Sequence, residues 1–132
     1  MVKAAKLVAA RRGRVLLVKR RLDGLWMFPG GRRKAGTSES SKRCLRREIR
    51  EELPDLKLGP FKHWTTLRGK NRRSGRQMSD AVFLAMKATG RLTIGDEQEL
   101  IKAEWRKPWG LRLTPTSRLI RDELVEAGYL RR

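Results

Sequence analysis

The sequence predicts one mixed α/β domain in which helices pack on a sheet. Three observations carry that prediction. Short apolar runs of strand length surround two longer segments whose apolar residues recur at helical spacing. A length of 132 residues suits a single domain that can bury a real core. No repeat, linker or low-complexity tract divides the chain.

Residues 3–10 and 14–20 read as strands, joined by a tight turn at Arg12-Gly13. Val15, Leu16, Leu17 and Val18 form a continuous apolar run, as expected when both faces of a strand are covered. Residues 21–38, containing Trp26, Phe28 and Pro29-Gly30-Gly31, read as irregular. A helix is expected from about Ser40 to Leu53, capped by Ser38 or Ser40 and stopped by Pro54. Leu45, Ile49 and Leu53 give it a buried stripe. Residues 56–67 read as a strand interrupted at Gly59-Pro60, and residues 68–77 as a basic loop. Residues 79–87 form a strong strand. Arg91–Ile94 and Ile101–Arg106 read as short strands around the acidic segment Asp96-Glu97-Gln98-Glu99. The last helix has Thr114 as cap, Pro115 at its first position and Gly128 past its end. Leu119, Ile120, Leu124 and Val125 supply its apolar positions.

The chain carries 33 Lys+Arg against 14 Asp+Glu, a net charge of +19. Arg outnumbers Lys by 22 to 11. Arg bonds phosphate with two prongs, so this bias suits polyanionic partners. It equally fits a surface that uses Arg wherever any polar residue will do. One Cys excludes an internal disulfide framework and a Cys-rich zinc site. No stretch approaches the roughly 18 apolar residues of a membrane helix. The opening apolar run is broken by Lys6 and ends at Arg11, too short for a signal peptide, so it reads as a strand. A cytoplasmic location is expected.

Acids are scarce, so their clustering is informative. Glu48, Glu51 and Glu52 fall at i, i+3 and i+4 and share one helix face. Like charges at this spacing repel, and a divalent cation would resolve the repulsion. Carboxylates are hard ligands suited to Mg²⁺ or Mn²⁺. Pairing with Arg46, Arg47 and Arg50 would account for the same face without a metal. Pro29-Gly30-Gly31 lets backbone approach a ligand closely, and Glu39 stands just before the helix.

A Gly-Gly loop leading to Arg47-Glu48-Ile49-Arg50-Glu51-Glu52 resembles the Nudix box. That pattern is Gly, five residues, Glu, seven residues, then Arg-Glu-aliphatic-x-Glu-Glu-x-Gly. The core run matches in type and order, and seven residues separate Glu39 from Arg47. The likeness extends upstream through the two strands and Trp26–Gly31, and downstream to Glu99 and Trp105. Two features depart from it. Seven residues separate Gly31 from Glu39, and Pro54 replaces the final Gly.

The resemblance implies a Nudix-type α/β/α sandwich over residues 1–132, with a mixed sheet between helices. It implies a Mg²⁺-dependent hydrolase, Mn²⁺ being a substitute, that cleaves a phosphoanhydride in a nucleoside diphosphate derivative. Nucleotides, nucleotide sugars, dinucleoside polyphosphates and 5′-triphosphorylated RNA are candidate substrates. Glu48, Glu51 and Glu52 would hold metal, with the Gly30 carbonyl as a further ligand. Glu39 would support the site and Arg47 would orient the glutamates. The general base would be a helix glutamate or a loop acid, with Glu99 ahead of Glu97. A monomer or homodimer is expected. The rival reading is a catalytically weak nucleic-acid-binding protein on the same scaffold, whose binding would fall steeply with salt.

Other residues carry less. Arg68, Lys70, Arg72, Arg73 and Arg76 form an acid-free stretch that could hold a phosphate-rich substrate or an RNA end, or be a solvated hairpin. His63 reads as structural or exposed, and Cys44 as a small packed residue. Trp26 and Phe28 read as core, with base stacking as the functional alternative. Trp105 and Trp109 are expected to pack near the end of the sheet.

Overall fold

The computed structural model describes residues 2–70 and 74–132. Strands β1 (Val2–Arg11) and β2 (Arg14–Arg20) form the expected hairpin. Arg12 and Gly13 both have positive φ, 52° and 76°, which is the turn whose twist matches the flanking strands. β1 is central. Along one edge it runs parallel to β7 (Gln77–Ala85), from Val2 opposite Met78 to Ala9 opposite Ala85. Its other edge is divided. Ala4–Lys6 pair with β4 (Gly30–Arg32), while Ala10 and Arg11 pair with β2. At the division the Leu7 amide donates to the Pro29 carbonyl, 2.8 Å away.

β3 (Trp26–Met27) and β9 (Leu100–Arg106) flank β2, and β6 (Phe61–Lys70) closes the far edge beside β7. The result is a seven-stranded mixed sheet. Helix α1 (Ser41–Glu52) buries Cys44, Leu45 and Ile49 against Leu7, Leu16, Val18 and Phe83 on one face. Helix α2 (Pro115–Glu126) buries Ile120 and Leu124 against Val8, Leu17, Phe28 and Val82 on the other. The sandwich follows from strict alternation along β1. Ala5, Leu7 and Ala9 face α1, and Val8 faces α2. Trp26, Phe28 and Cys44 are core, as expected.

The helix caps follow the sequence. The Ser40 hydroxyl accepts from the Arg43 amide at 3.1 Å, and Thr114 from the Ser117 amide at 3.3 Å. Leu53 leaves the helical conformation at φ −135° ahead of Pro54. In place of a capping glycine within the helix, Gly95 of a distant loop donates its amide to the Glu52 carbonyl at 2.8 Å. A Cβ at Gly95 would lie 2.4 Å from the Glu51 carbonyl oxygen, so only glycine can approach this way.

Four expectations change. The irregular stretch 21–38 contains β3 and β4, because each borrows a partner strand too far away in sequence to be seen locally. The strand read over 56–67 is two, β5 (Leu56–Lys57) and β6, split at Gly59-Pro60. Arg91–Ile94 is not a strand. The pairing shifts two residues earlier, to β8 (Thr89–Gly90) beside β5, where Gly90 has φ +96° and no room for a Cβ. The basic loop is also shorter than 68–77. Arg68, Gly69 and Lys70 belong to β6, opposite Ser79, Met78 and Gln77. Arg72 and Arg73 lie outside the described residues.

Candidate active site

Arg47 organises the acids of α1. Its guanidinium donates from Nε to Glu39 Oε2 at 2.8 Å and from Nη2 to Glu39 Oε1 at 3.1 Å. Nη1 donates to Glu48 Oε1 at 2.9 Å and lies 3.7 Å from Glu51 Oε2. Nη2 also reaches the Arg32 carbonyl on β4 at 3.0 Å. One planar cation therefore ties the loop acid, two helix acids and the neighbouring strand together. Glu39 is further fixed by the Lys34 amide, which donates to Oε1 at 3.1 Å. The Arg47 hydrogen bonds hold the Glu39 carboxyl down at about 2.

Gly31 makes room for Glu48. A Cβ there would lie 2.3 Å from Glu48 Cδ and 2.6 Å from Oε2. The glycine is thus the floor against which a carboxylate rests, and the Cys44 thiol closes the same corner with a bond to the Gly31 carbonyl at 3.4 Å. Gly30 is tight for another reason. A Cβ would fall 2.0 Å from the Ala5 carbonyl oxygen of β1.

Glu52 differs from its neighbours. Glu51 is half-exposed, whereas Glu52 is 6% exposed, and Glu52 Oε2 finds no hydrogen-bond partner. Burial pushes its carboxyl up to about 8, and the Glu48 charge adds to the rise. Lys6 and the Gly30 amide oppose it, and Glu99 raises it further. Glu99 thus lies within electrostatic reach of the cluster from the loop before β9. Its backbone is held by Asp96 and by the Arg21 amide, which donates to the Glu99 carbonyl at 2.8 Å. Glu97 is exposed, and its carbonyl accepts from Arg21 Nε at 2.7 Å.

Among the described residues, no three acidic, His or Cys side chains converge closely enough to hold a cation as they stand. The reason is visible. Arg47 draws Glu48 and Glu51 toward itself, while Glu52 turns inward toward Gly30. The donor chemistry nevertheless fits a hard divalent cation. Three carboxylates share a helix face, and one of them keeps a buried oxygen without a partner.

A family model, the NUDIX domain, matches residues 2–127. The chain belongs to the Nudix family. Its fold matches that of a MutT Nudix hydrolase from Burkholderia pseudomallei, with TM-score 0.82, 23% identity, and 93% of this chain and 97% of that one covered. It also matches the dihydroneopterin triphosphate pyrophosphohydrolase of E. coli, with TM-score 0.72, 16% identity and 95% of both chains covered. A bifunctional NMN adenylyltransferase/ADP ribose pyrophosphatase from Francisella tularensis, complexed with AMP and Mn ion, gives TM-score 0.74 at 16% identity. The alignment covers 96% of this chain and 41% of that one. Comparison with curated proteins yields no match. Family model and fold agree on that membership, and the family generally uses a divalent metal.

The two departures from the Nudix pattern now have physical readings. The longer Gly31–Glu39 loop still delivers Glu39 to Arg47, held by the Lys34 amide. Pro54 is tolerated because Gly95 caps the helix from outside. Arg68 and Lys70 lie on the exposed edge strand, not in the acid cluster. His63 is exposed, with Nε2 2.7 Å from Thr66 Oγ1. Trp105 packs partly on the core beneath Arg11, and the guanidinium groups of Arg121 and Arg132 both lie over the Trp109 ring. No helix is long and apolar enough to cross a membrane among the described residues. Sequence reasoning missed Lys6 and Asp80. A lysine in a central strand otherwise built of small apolar residues was the signal that could have found them.

Proposed function

We propose that this Nudix chain hydrolyses a phosphoanhydride bond in a nucleoside diphosphate-linked substrate, with Mg²⁺ as its metal. The observation that carries the reading is Glu52, a buried carboxylate with an orphaned oxygen beside an acid face organised by Arg47. Glu48, Glu51 and Glu52 would hold the metal, with the Gly30 carbonyl as a further donor from β4. When bound, the ion neutralises phosphate charge and activates water. Arg47 keeps Glu48 and Glu51 oriented, and Glu39 fixes Arg47 in turn. Glu99, whose carboxylate has no hydrogen-bond partner among the described residues, takes a proton from the attacking water. The water oxygen bonds to phosphorus, and the anhydride P–O bond breaks to release the second phosphate.

The test is phosphate release from nucleotides, nucleotide sugars and triphosphorylated RNA, with and without Mg²⁺. A Glu51→Gln, Glu52→Gln variant is run beside it. Mg²⁺-dependent turnover that the variant loses is the expected result. No turnover on any substrate, with salt-sensitive RNA binding that the variant retains, would instead favour a nucleic-acid-binding protein on this scaffold.

A further inference from the structure

Lys6 sits in β1, between Gly30 of β4 and Val82 of β7. A charged side chain in a central strand is costly unless something compensates it. Its ammonium has three donors, yet its one hydrogen-bond partner among the described residues is the Met27 thioether, 3.9 Å away. Asp80, Glu52 and Glu48 all lie within electrostatic reach of it, but none closes on it as an ion pair. Arg20 of β2 approaches the same ammonium closely enough to oppose its charge.

Asp80 has the same character. It is 5% exposed and makes no hydrogen bond or ion pair among the described residues. In-register partners share a face, so Asp80, Ala4 and Arg32 stand in one row, with Val82, Lys6 and Gly30 in the next. Gly30, as the β4 partner of Lys6, leaves no side chain beside it on that strand. Lys6, whose ammonium has only a thioether for a partner, and Glu52, whose carboxyl keeps one oxygen unpartnered, therefore both border Gly30, one from β1 and one from the end of α1. A group that accepts from the first and shares a cation with the second would satisfy both. Phosphate oxygens do this.

We propose that Lys6 is a substrate-binding residue of the hydrolase, its ammonium donating to non-bridging oxygens of the diphosphate. Asp80, in the neighbouring row, is the positioning residue, its charge acting on the ammonium without closing an ion pair. The inference rests on the hydrolase reading above. A counter-charge role, in which Lys6 merely offsets Glu52 and Glu48, is the rival explanation.

The experiment measures two affinities by titration, that of Mn²⁺ alone and that of inorganic pyrophosphate with Mn²⁺ present. The variants are Lys6→Met, Lys6→Gln, Lys6→Arg and Asp80→Asn. Far-ultraviolet circular dichroism checks each fold, and Lys6→Gln stands in should Lys6→Met not fold. Loss of the ammonium should weaken pyrophosphate binding roughly 30-fold or more, with Mn²⁺ affinity unchanged. Lys6→Arg should retain most of the pyrophosphate affinity, and Asp80→Asn should show a smaller loss than Lys6→Met. A neutral variant that binds pyrophosphate as the parent does overturns the proposal. So does one whose loss lies in Mn²⁺ affinity, which is the counter-charge outcome. If the parent binds no pyrophosphate and turns over no substrate, the hydrolase reading falls and takes this inference with it. An active parent with an indifferent Lys6→Met variant removes this inference alone.

Discussion

Replacing Glu52 with Gln should make the metal-free protein more stable at alkaline pH. The Glu52 carboxyl rises from an ordinary 4.5 to about 8 on folding, chiefly through burial. Between those values the folded chain keeps a proton that the unfolded chain releases. Stability therefore falls as pH rises through this window, by about 1.4 kcal/mol per unit for one proton. Over the whole window the loss comes to about 3–5 kcal/mol, a large share of the 5–15 kcal/mol that typically stabilises a domain. Gln carries no charge and should escape it. Lys6 acts oppositely, since burial lowers its value and favours the folded state as pH climbs toward 10.5. The difference between parent and Glu52→Gln isolates the carboxyl. Urea unfolding in chelator, followed by the fluorescence of the four Trp, is the assay. The two proteins should coincide near pH 4.5 and diverge steadily to pH 8, with the variant the more stable. Added Mg²⁺ should rescue the parent and not the variant, because the ion takes the place of the proton. Parallel stability curves across that range would refute the burial argument.

The two box glycines should fail in different ways. Gly30→Ala drives a Cβ into the Ala5 carbonyl at a φ of +145° and should cost on the order of 3 kcal/mol in urea unfolding. Gly31→Ala meets only the movable Glu48 carboxylate, so it should keep its Tm within a few degrees yet lose roughly 10- to 100-fold in metal affinity or turnover. Arg47→Met should lower metal-dependent kcat by about 10- to 100-fold with secondary structure intact by circular dichroism. Arg47→Lys should not restore it, because a single ammonium cannot take both oxygens of Glu39 and reach Glu48 as well. Ser117→Ala strands the buried Phe28 amide, which donates to the Ser117 hydroxyl at 3.1 Å. It should cost about 1–3 kcal/mol by thermal unfolding, with activity per folded molecule unchanged.

What the sequence made legible is what local physics controls. The β1–β2 turn, both helix starts and strands β1, β2 and β9 depend on neighbours in sequence, and they lie within a residue of where apolar runs and capping residues put them. The short strands were illegible because their cause is remote. Two or three residues such as Trp26–Met27 or Gly30–Arg32 have no period of their own and become strand only beside β2 or β1. The same holds for the end of α1. Pro54 announced that the helix stops, but the amide that caps it comes from Gly95, some forty positions away.

The site divides along the same line, and the charge shows why. Spacing put Glu48, Glu51 and Glu52 on one face, but it assigned them equivalent environments. Packing made them unequal. Arg47 restrains two of them, and the third is buried against Gly30 with an oxygen to spare. The excess of arginine likewise separates into kinds that composition merges. Arg11, Arg106, Arg121 and Arg132 lie over Trp rings and contribute to packing as much as to charge. Arg47 is committed to the acids. Lys6 is neither stacked nor paired, and it stands in the strand where a cation is least expected. Among the many positive charges of this chain, that isolation makes it stand out for the diphosphate, since a cation already satisfied by protein has little left to give a substrate.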